Sequence, residues 1–297
     1  MTHDSRQRRF IVNTDAKNEA DDQFAIVHAL LSPSLDVRGL IAAHFGTLRS
    51  DRSMLESREE IDLLLRLMHL EGQVVVANGA RSGIPDERTA ADSEGARLII
   101  EESKLASDTD KLYVAFLGPL TDMASAILLD PDIVTRPVVV IWIGGDGYDG
   151  IESSSRRGIE FNLSNDIAAA NVVFDSGITV WQVPSNVYSQ VSVGYAELDA
   201  RVAPYGELGA YLVDQLKAWN ARWNPEPIES RSLGDSPAVS LALYPRGGTF
   251  RVRPSSRFDA SGRYVPGAGN PIRVCEQVDV RFLLEDMFHK LATFGSH

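Results

Sequence analysis

The stretch Pro137–Gly145, PVVVIWIGG, decides the fold. Residues 138–143 are apolar at every position and end in a glycine pair. A strand with one wet face alternates apolar and polar residues, whereas an unbroken run belongs to a strand covered on both faces, the usual state in a parallel sheet. The neighbouring segments repeat that plan. Upstream, LYVAFLG (112–118) reads as a strand and LTDMASAILLD (120–130) as the helix after it. Downstream, DIAAANVVFDSG (166–177) reads as a helix and ITVWQVP (178–184) as a strand. The first hundred residues give strands at RFIVNT, VRGLIAAHF and QVVVANG. Helices are expected at DDQFAIVHALLS, SDRSMLESREEIDLLLRLMHL and ADSEGARLIIEESKLA. Strand, loop and helix in rotation predict an α/β fold with a mostly parallel central sheet flanked by helices.

The last third is less regular. ELGAYLVDQLKAWNARWN, SPAVSLALYP and DVRFLLEDMFHKLATF read as helices. FRVRPSSRFDASGRYVPG (250–267) reads as a hairpin around an Asp-Ala-Ser-Gly turn. No linker, repeat or composition shift marks a boundary, so one domain over residues 1–297 is expected.

Bulk properties exclude several classes. The 297 residues are 44% hydrophobic and 24% charged, with net charge −12. That balance argues against binding nucleic acid or an anionic membrane through bulk charge. One cysteine, Cys275, excludes an internal disulfide and a thiolate metal cluster. MTHDSRQRRF has no apolar run behind its arginines, and no run approaches the ~18 residues of a membrane helix. A cytoplasmic protein is expected.

Ligands of open α/β sheets bind beyond the carboxyl ends of strands, so the loops there are the places to look. After the first strand comes NTDAKNEADDQ, with Asp15, Glu19, Asp21 and Asp22. Asp21 and Asp22 at a helix start are favoured by the dipole. Packed carboxylates also suit a hard cation such as calcium or magnesium. Further on, FLGPLTDMA offers Thr121 as a helix cap. WIGGDGYDG is a glycine-rich loop. GIEFNLSND carries Glu160 and Asn162, which alternation would send to one side to bind a polyol. SLGDSPAVSL places Asp235 at a helix start. A dehalogenase-type phosphatase also begins with acids after strand one, but its nucleophile would fall on Asn13.

The order of these segments resembles the inosine-uridine-preferring nucleoside hydrolase family over nearly the whole chain, most specifically from Gly118 to Gly177. The resemblance implies a Rossmann-like nucleoside hydrolase fold and cleavage of the N-glycosidic bond of a nucleoside or related N-riboside. It implies Ca2+ held by Asp15, Asp22, the Thr121 carbonyl and Asp235, with Asp15 as the base that takes a proton from water. Asp21, Glu160 and Asn162 would hold the ribose, and a homodimer or homotetramer is expected. Carboxylates would also stabilise the oxocarbenium-like charge that develops at the anomeric carbon.

The chain departs from the family at three places. AKNEA adds two residues between Asp15 and the Asp21–Asp22 pair, so Lys17, Asn18 or Glu19 could enter the site. Asn13 and Thr47 stand where an Asp and an Asn are usual. Gly234 replaces a histidine that helps the base leave, and DSEGARLI lacks another. Help with the leaving base would fall to His44, Tyr188, Trp219, Trp223 or Arg231, unless the base is already cationic. A nucleoside- or sugar-binding protein of the same fold that has lost hydrolysis is the alternative.

Overall fold

A computed structural model describes residues 7–150, 158–267 and 269–295; the start of the MTHDSRQRRF segment lies outside them. The strands β1 (Arg8–Thr14), β2 (Leu35–Ala42), β3 (Val76–Asn78), β4 (Leu112–Phe116), β5 (Val138–Ile143) and β6 (Thr179–Val183) pair in parallel in the order β3-β2-β1-β4-β5-β6. Pro271–Val278 adds in parallel beside β6, and Gly248–Pro254 closes that edge antiparallel. This is the mostly parallel, helix-flanked α/β sheet that the apolar runs predict.

Alternate residues of each strand feed opposite cores. Val139, Ile141 and Ile143 join Phe10 and Val12 on one face, under the helices Asp22–Leu30, Ser53–Leu67, Gly206–Trp223 and Val280–Phe294. Val138, Val140 and Trp142 join Ile11 and Phe116 on the other, under Glu94–Lys104, Thr121–Leu129 and Ile167–Asp175. Continuous apolar sequence is therefore needed, because every position of β5 is buried.

The direction of winding reverses between β1 and β4. The chain runs outward through β2 and β3, then returns to β4 on the other side of β1 and proceeds to β5 and β6. That reversal opens a crevice at the carboxyl ends of β1 and β4.

Two local expectations are corrected. The hairpin is confined to Arg257–Phe258 and Tyr264–Val265, around Asp259–Gly262. Gly248–Pro254 instead pairs with Pro271–Val278, a strand the sequence reading did not pick out. Glu160 and Asn162 converge through a helix turn, not strand alternation. Residues Phe161–Asn165 are helical and Glu160 caps them, accepting from the Asn162 and Leu163 amides.

Trp142 links core and crevice. It is fully buried, packs edge-on against Phe174 and Phe258, and donates from Nε1 to the Gly118 carbonyl at 3.1 Å. Trp142→Ala is expected to cost about 3–5 kcal/mol, read as a lower urea midpoint. A loss below about 1 kcal/mol would show that the ring is not an anchor.

Candidate active site

Four carboxylates meet in the crevice. Asp15 follows β1 directly, Asp21 and Asp22 open the helix Asp22–Leu30, and Asp235 precedes the helix Ser236–Leu243. All are buried, with exposures of 1%, 7%, 2% and 6% in that order. Asp21 and Asp235 occupy N-cap positions, yet neither side chain makes a capping bond. Asp21 Oδ2 instead accepts from the Gly234 amide at 2.8 Å, and Asp22 Oδ1 accepts from the Thr14 hydroxyl at 2.5 Å. The dipole alone does not account for these acids, since their oxygens turn away from the helix amides.

The electrostatics follow from that crowding. Burial and then the charge of Asp22 push the Asp15 carboxyl well above its ordinary range. Asp235 is driven up in the same way. Burial and Asp21 raise Asp22 to about 7, although its bonds to Thr14 and Asp235 act against the rise. Burial raises Asp21 as well, opposed chiefly by the Arg231 guanidinium. A hydrogen bond between Asp22 and Asp235 requires a shared proton. Single oxygens of Asp21, Asp22 and Asp235 lie within 4.8 Å of one another, and Asp15 Oδ2 is buried without a hydrogen-bond partner. Closely set carboxylate oxygens and an orphaned one fit a hard divalent cation.

The rest of the wall comes from other strand ends. The Glu160 carboxylate accepts from the Gly145 amide at 2.8 Å and the Tyr188 hydroxyl at 2.8 Å. The glycine-rich loop after β5 therefore supplies a backbone donor. Asn162 Nδ2 donates to the Leu117 and Ile143 carbonyls at 2.6 and 2.8 Å. The space among these side chains is about 40 Å3, room for a cation and water at the floor of the crevice.

Asp15, Asn18, Asp21, Asp22, Glu160, Asn162 and Asp235 all line this cavity, as the sequence leads one to expect, and Tyr188 joins them. Thr121 and His44 do not. The Thr121 hydroxyl donates to Asp166 Oδ2 at 2.7 Å and is bonded to His44 Nε2 at 2.8 Å, so it serves neither as helix cap nor as cavity wall. Leu117, four residues earlier, lines the cavity instead. His44 Nδ1 accepts from the Gly46 amide at 3.2 Å, and burial lowers its pKa to about 4. A neutral imidazole tied at both nitrogens is no proton donor to a leaving base. Leu117, Glu19 and Phe161 are lining residues that were not named as ligands. A backbone carbonyl has no side-chain signature, so only its distance from the Gly118 turn marks Leu117.

Two glycines shape the wall. A Cβ on Gly118 would lie 2.8 Å from Asp15 Oδ1, and one on Gly234 would lie 3.0 Å from the Tyr188 ring and 3.3 Å from Asp21 Oδ2. The glycine that replaces the expected histidine thus admits the Tyr188 ring and Asp21.

The AKNEA extension is built into the surroundings. Gln23 Nε2 donates to the Ala16 carbonyl and Lys17 turns outward to Glu60 at 2.6 Å. The Asn18 carbonyl accepts from Trp219 Nε1 and Arg49, and its Oδ1 accepts from Arg49 as well. Glu19 pairs with Arg231, which also stands 3.5 Å from Asp21, and the Ala20 carbonyl accepts from Gln215. Of the remaining candidates, Arg231 and Trp219 thus brace the extension. Trp223 is half exposed outside the cavity.

Known proteins resemble this chain in sequence and fold. Residues 10–285 match the family described as inosine-uridine preferring nucleoside hydrolase. A probable uridine nucleosidase 2 of Arabidopsis thaliana is 27% identical over 72% of this chain and 70% of its own length. The pyrimidine-specific ribonucleoside hydrolase RihA of Salmonella typhimurium is 25% identical over 65% and 67%. Among solved structures, a plant nucleoside hydrolase superposes with a TM-score of 0.78 at 21% identity, covering 96% of this chain and 99% of its own. A purine-preferring ribonucleoside hydrolase from Gardnerella vaginalis gives 0.78 at 21%, covering 97% and 99%.

The raised carboxyls set a pH dependence for the protein stripped of divalent cations. The folded state holds protons that the unfolded chain releases near pH 4, so stability conferred by this cluster falls as pH rises from about 4 to about 7. With chelator present, the Tm is expected to be lower at pH 8 than at pH 5.5. Millimolar Ca2+ is expected to raise the Tm at pH 8 more than at pH 5.5. A calcium effect equal at both pH values would contradict binding at these carboxylates.

Proposed function

The chain belongs to the inosine-uridine preferring nucleoside hydrolase family, and from that premise we propose that it hydrolyses the N-glycosidic bond of a ribonucleoside or related N-riboside with Ca2+ as its cofactor. The observation that carries this reading is Asp15: a buried carboxyl beside Asp21, Asp22 and Asp235, with one oxygen that no group among the described residues satisfies. Asp15, Asp22 and Asp235 would hold the cation, with a backbone carbonyl as a further ligand. The Leu117 carbonyl is better supported for that place than the Thr121 carbonyl, because Leu117 lines the cavity. When bound, the cation supplies charge that orients water and sugar hydroxyls and makes the water more acidic.

The protein's own groups do the rest. Asp15 accepts the proton of the attacking water. Asn162 has its Nδ2 committed to two carbonyls, which turns Oδ1 to a ribose hydroxyl. Glu160, fixed by the Gly145 amide and the Tyr188 hydroxyl, and Asp21, fixed by the Gly234 amide, accept from the others. As the C1′–N bond lengthens, positive charge grows on the sugar, and the surrounding carboxylates lower its energy. Cytoplasmic residence and a homodimer or homotetramer belong to the same proposal. Among the described residues no helix is long and apolar enough to cross a membrane.

Asp15→Asn preserves shape and removes the base. Ribose release from a panel of purine and pyrimidine ribosides with Ca2+ is expected to fall about 10²–10⁴-fold, with the fold intact by circular dichroism. Full turnover in this variant would sink the assignment. Chelation is expected to silence the wild type and restored Ca2+ to rescue it. Ribose release that persists after verified metal loss would refute the cofactor. Ligand-induced stabilisation without any ribose would favour the non-catalytic binding protein.

A further inference from the structure

The charged residues that line the cavity are Asp15, Glu19, Asp21, Asp22, Glu160 and Asp235, and the described lining includes no lysine, arginine or histidine. Just outside, the protein lays its own planar cations on aromatic rings. The Arg49 guanidinium stands 4.6 Å from the ring centre of Phe161, which lines the cavity, and 5.5 Å from that of Trp223. Arg231 stands 4.2 Å from the Trp219 ring. Arg231 is neutralised by Glu19 and Asp21. Arg49 makes no ion pair among the described residues. It is exposed, and among the described residues it donates to the carbonyl and Oδ1 of Asn18, in the extension. A flat delocalised cation thus already rests on the ring that joins the sugar cavity to the surface, a contact whose strength comes from ring and charge together.

We propose, on the reading that this site is an N-ribohydrolase, that its leaving group is a planar cationic heteroaromatic ring, which displaces Arg49 from Phe161 and Trp223 and is held by Glu19. The substrate class is an N-ribosyl pyridinium or similarly quaternised base. Phe161 and Trp223 supply the faces, and Glu19, whose Oε2 is paired with Arg231, supplies Oε1 at the cavity wall.

The fate of the proton agrees. A neutral base leaves as an anion unless it is protonated. The groups best placed for that task are otherwise engaged: His44 is tied to Thr121 and Gly46, the Tyr188 hydroxyl donates to Glu160, and Gly234 has no side chain. With a cationic base, the C1′–N bond breaks and its electron pair returns to the ring nitrogen, so the base departs neutral. The water oxygen bonds to C1′ and its proton passes to Asp15. No proton is owed to the leaving group.

The experiment compares nicotinamide riboside, a pyridinium cation, with uridine, a neutral riboside, in the wild type and in the Arg49→Met and Glu19→Gln variants, all with Ca2+. Wild-type kcat/KM is expected to favour the cation by about 100-fold or more. Arg49→Met is expected to lower KM for the cation about two- to fivefold, the range that loss of a competing ring contact implies. Glu19→Gln is expected to raise KM for the cation about fivefold more than KM for uridine. If uridine is the better substrate, or if Glu19→Gln shifts both KM values equally, or if Arg49→Met raises KM for the cation, the leaving-group inference is overturned while the ribohydrolase reading stands. If no riboside in the panel is cleaved, the ribohydrolase reading itself fails and takes the inference with it.

Discussion

Repulsion among buried carboxylates is the constraint around which this molecule is arranged. Asp15, Asp21, Asp22 and Asp235 stand where the sheet reverses its winding, and burial raises all four carboxyls, joined by the charge of neighbouring acids, which for Asp21 is that of Glu19. The surroundings relieve that repulsion only in part, through the Thr14 hydroxyl, the Gly234 amide and the Arg231 guanidinium. Two helices begin without a side-chain cap because their first acids face the crevice, a sacrifice of about 1 kcal/mol each. Local rules broken together at one place, with no gain in stability there, are the mark of a site built for a ligand.

The second organising feature is the extension. Every residue from Ala16 to Ala20 except Lys17 and Glu19 is buried, and each of the five is bonded to a side chain elsewhere in the chain. Glu60 shows how tightly the segment is held. Its Oε2 accepts from Lys17, and its Oε1 accepts from Gln23 and the Tyr211 hydroxyl, so one buried carboxylate ties the extension to three helices, its own included. Two added residues have thus become a wall of the cavity and not a bulge into solvent. Through Asn18 and Glu19 they also determine where Arg49 and Arg231 rest.

What the sequence revealed followed burial. Strands covered on both faces announce themselves as unbroken apolar runs, so β1, β2, β4, β5 and β6 were legible. Gly248–Pro254 is an edge strand with exposed residues and arginines, which reads as a turn-bound hairpin because its partner lies beyond the intervening turn. Acids at strand ends were legible as a cluster because charge is a side-chain property. The carbonyl of Leu117 was not, since every residue carries one. Glu160 and Asn162 reach one cavity through a capped helix turn and not through the alternation expected, because Glu160 is the cap residue ahead of the helix.

His44 shows how a residue with catalytic chemistry can act by position alone. Its Nε2–H is donated to Thr121, whose own hydroxyl proton goes to Asp166, and its Nδ1 receives the Gly46 amide. The chain of bonds runs in one direction only if the imidazole is neutral, and burial lowers its pKa to about 4. The Gly46 amide, donated to Nδ1, fastens the start of the loop that follows. Three residues later that loop carries Arg49 over Phe161. The histidine thus acts at the mouth of the cavity through the backbone it anchors, and a neutral, immobile imidazole is what such an anchor requires.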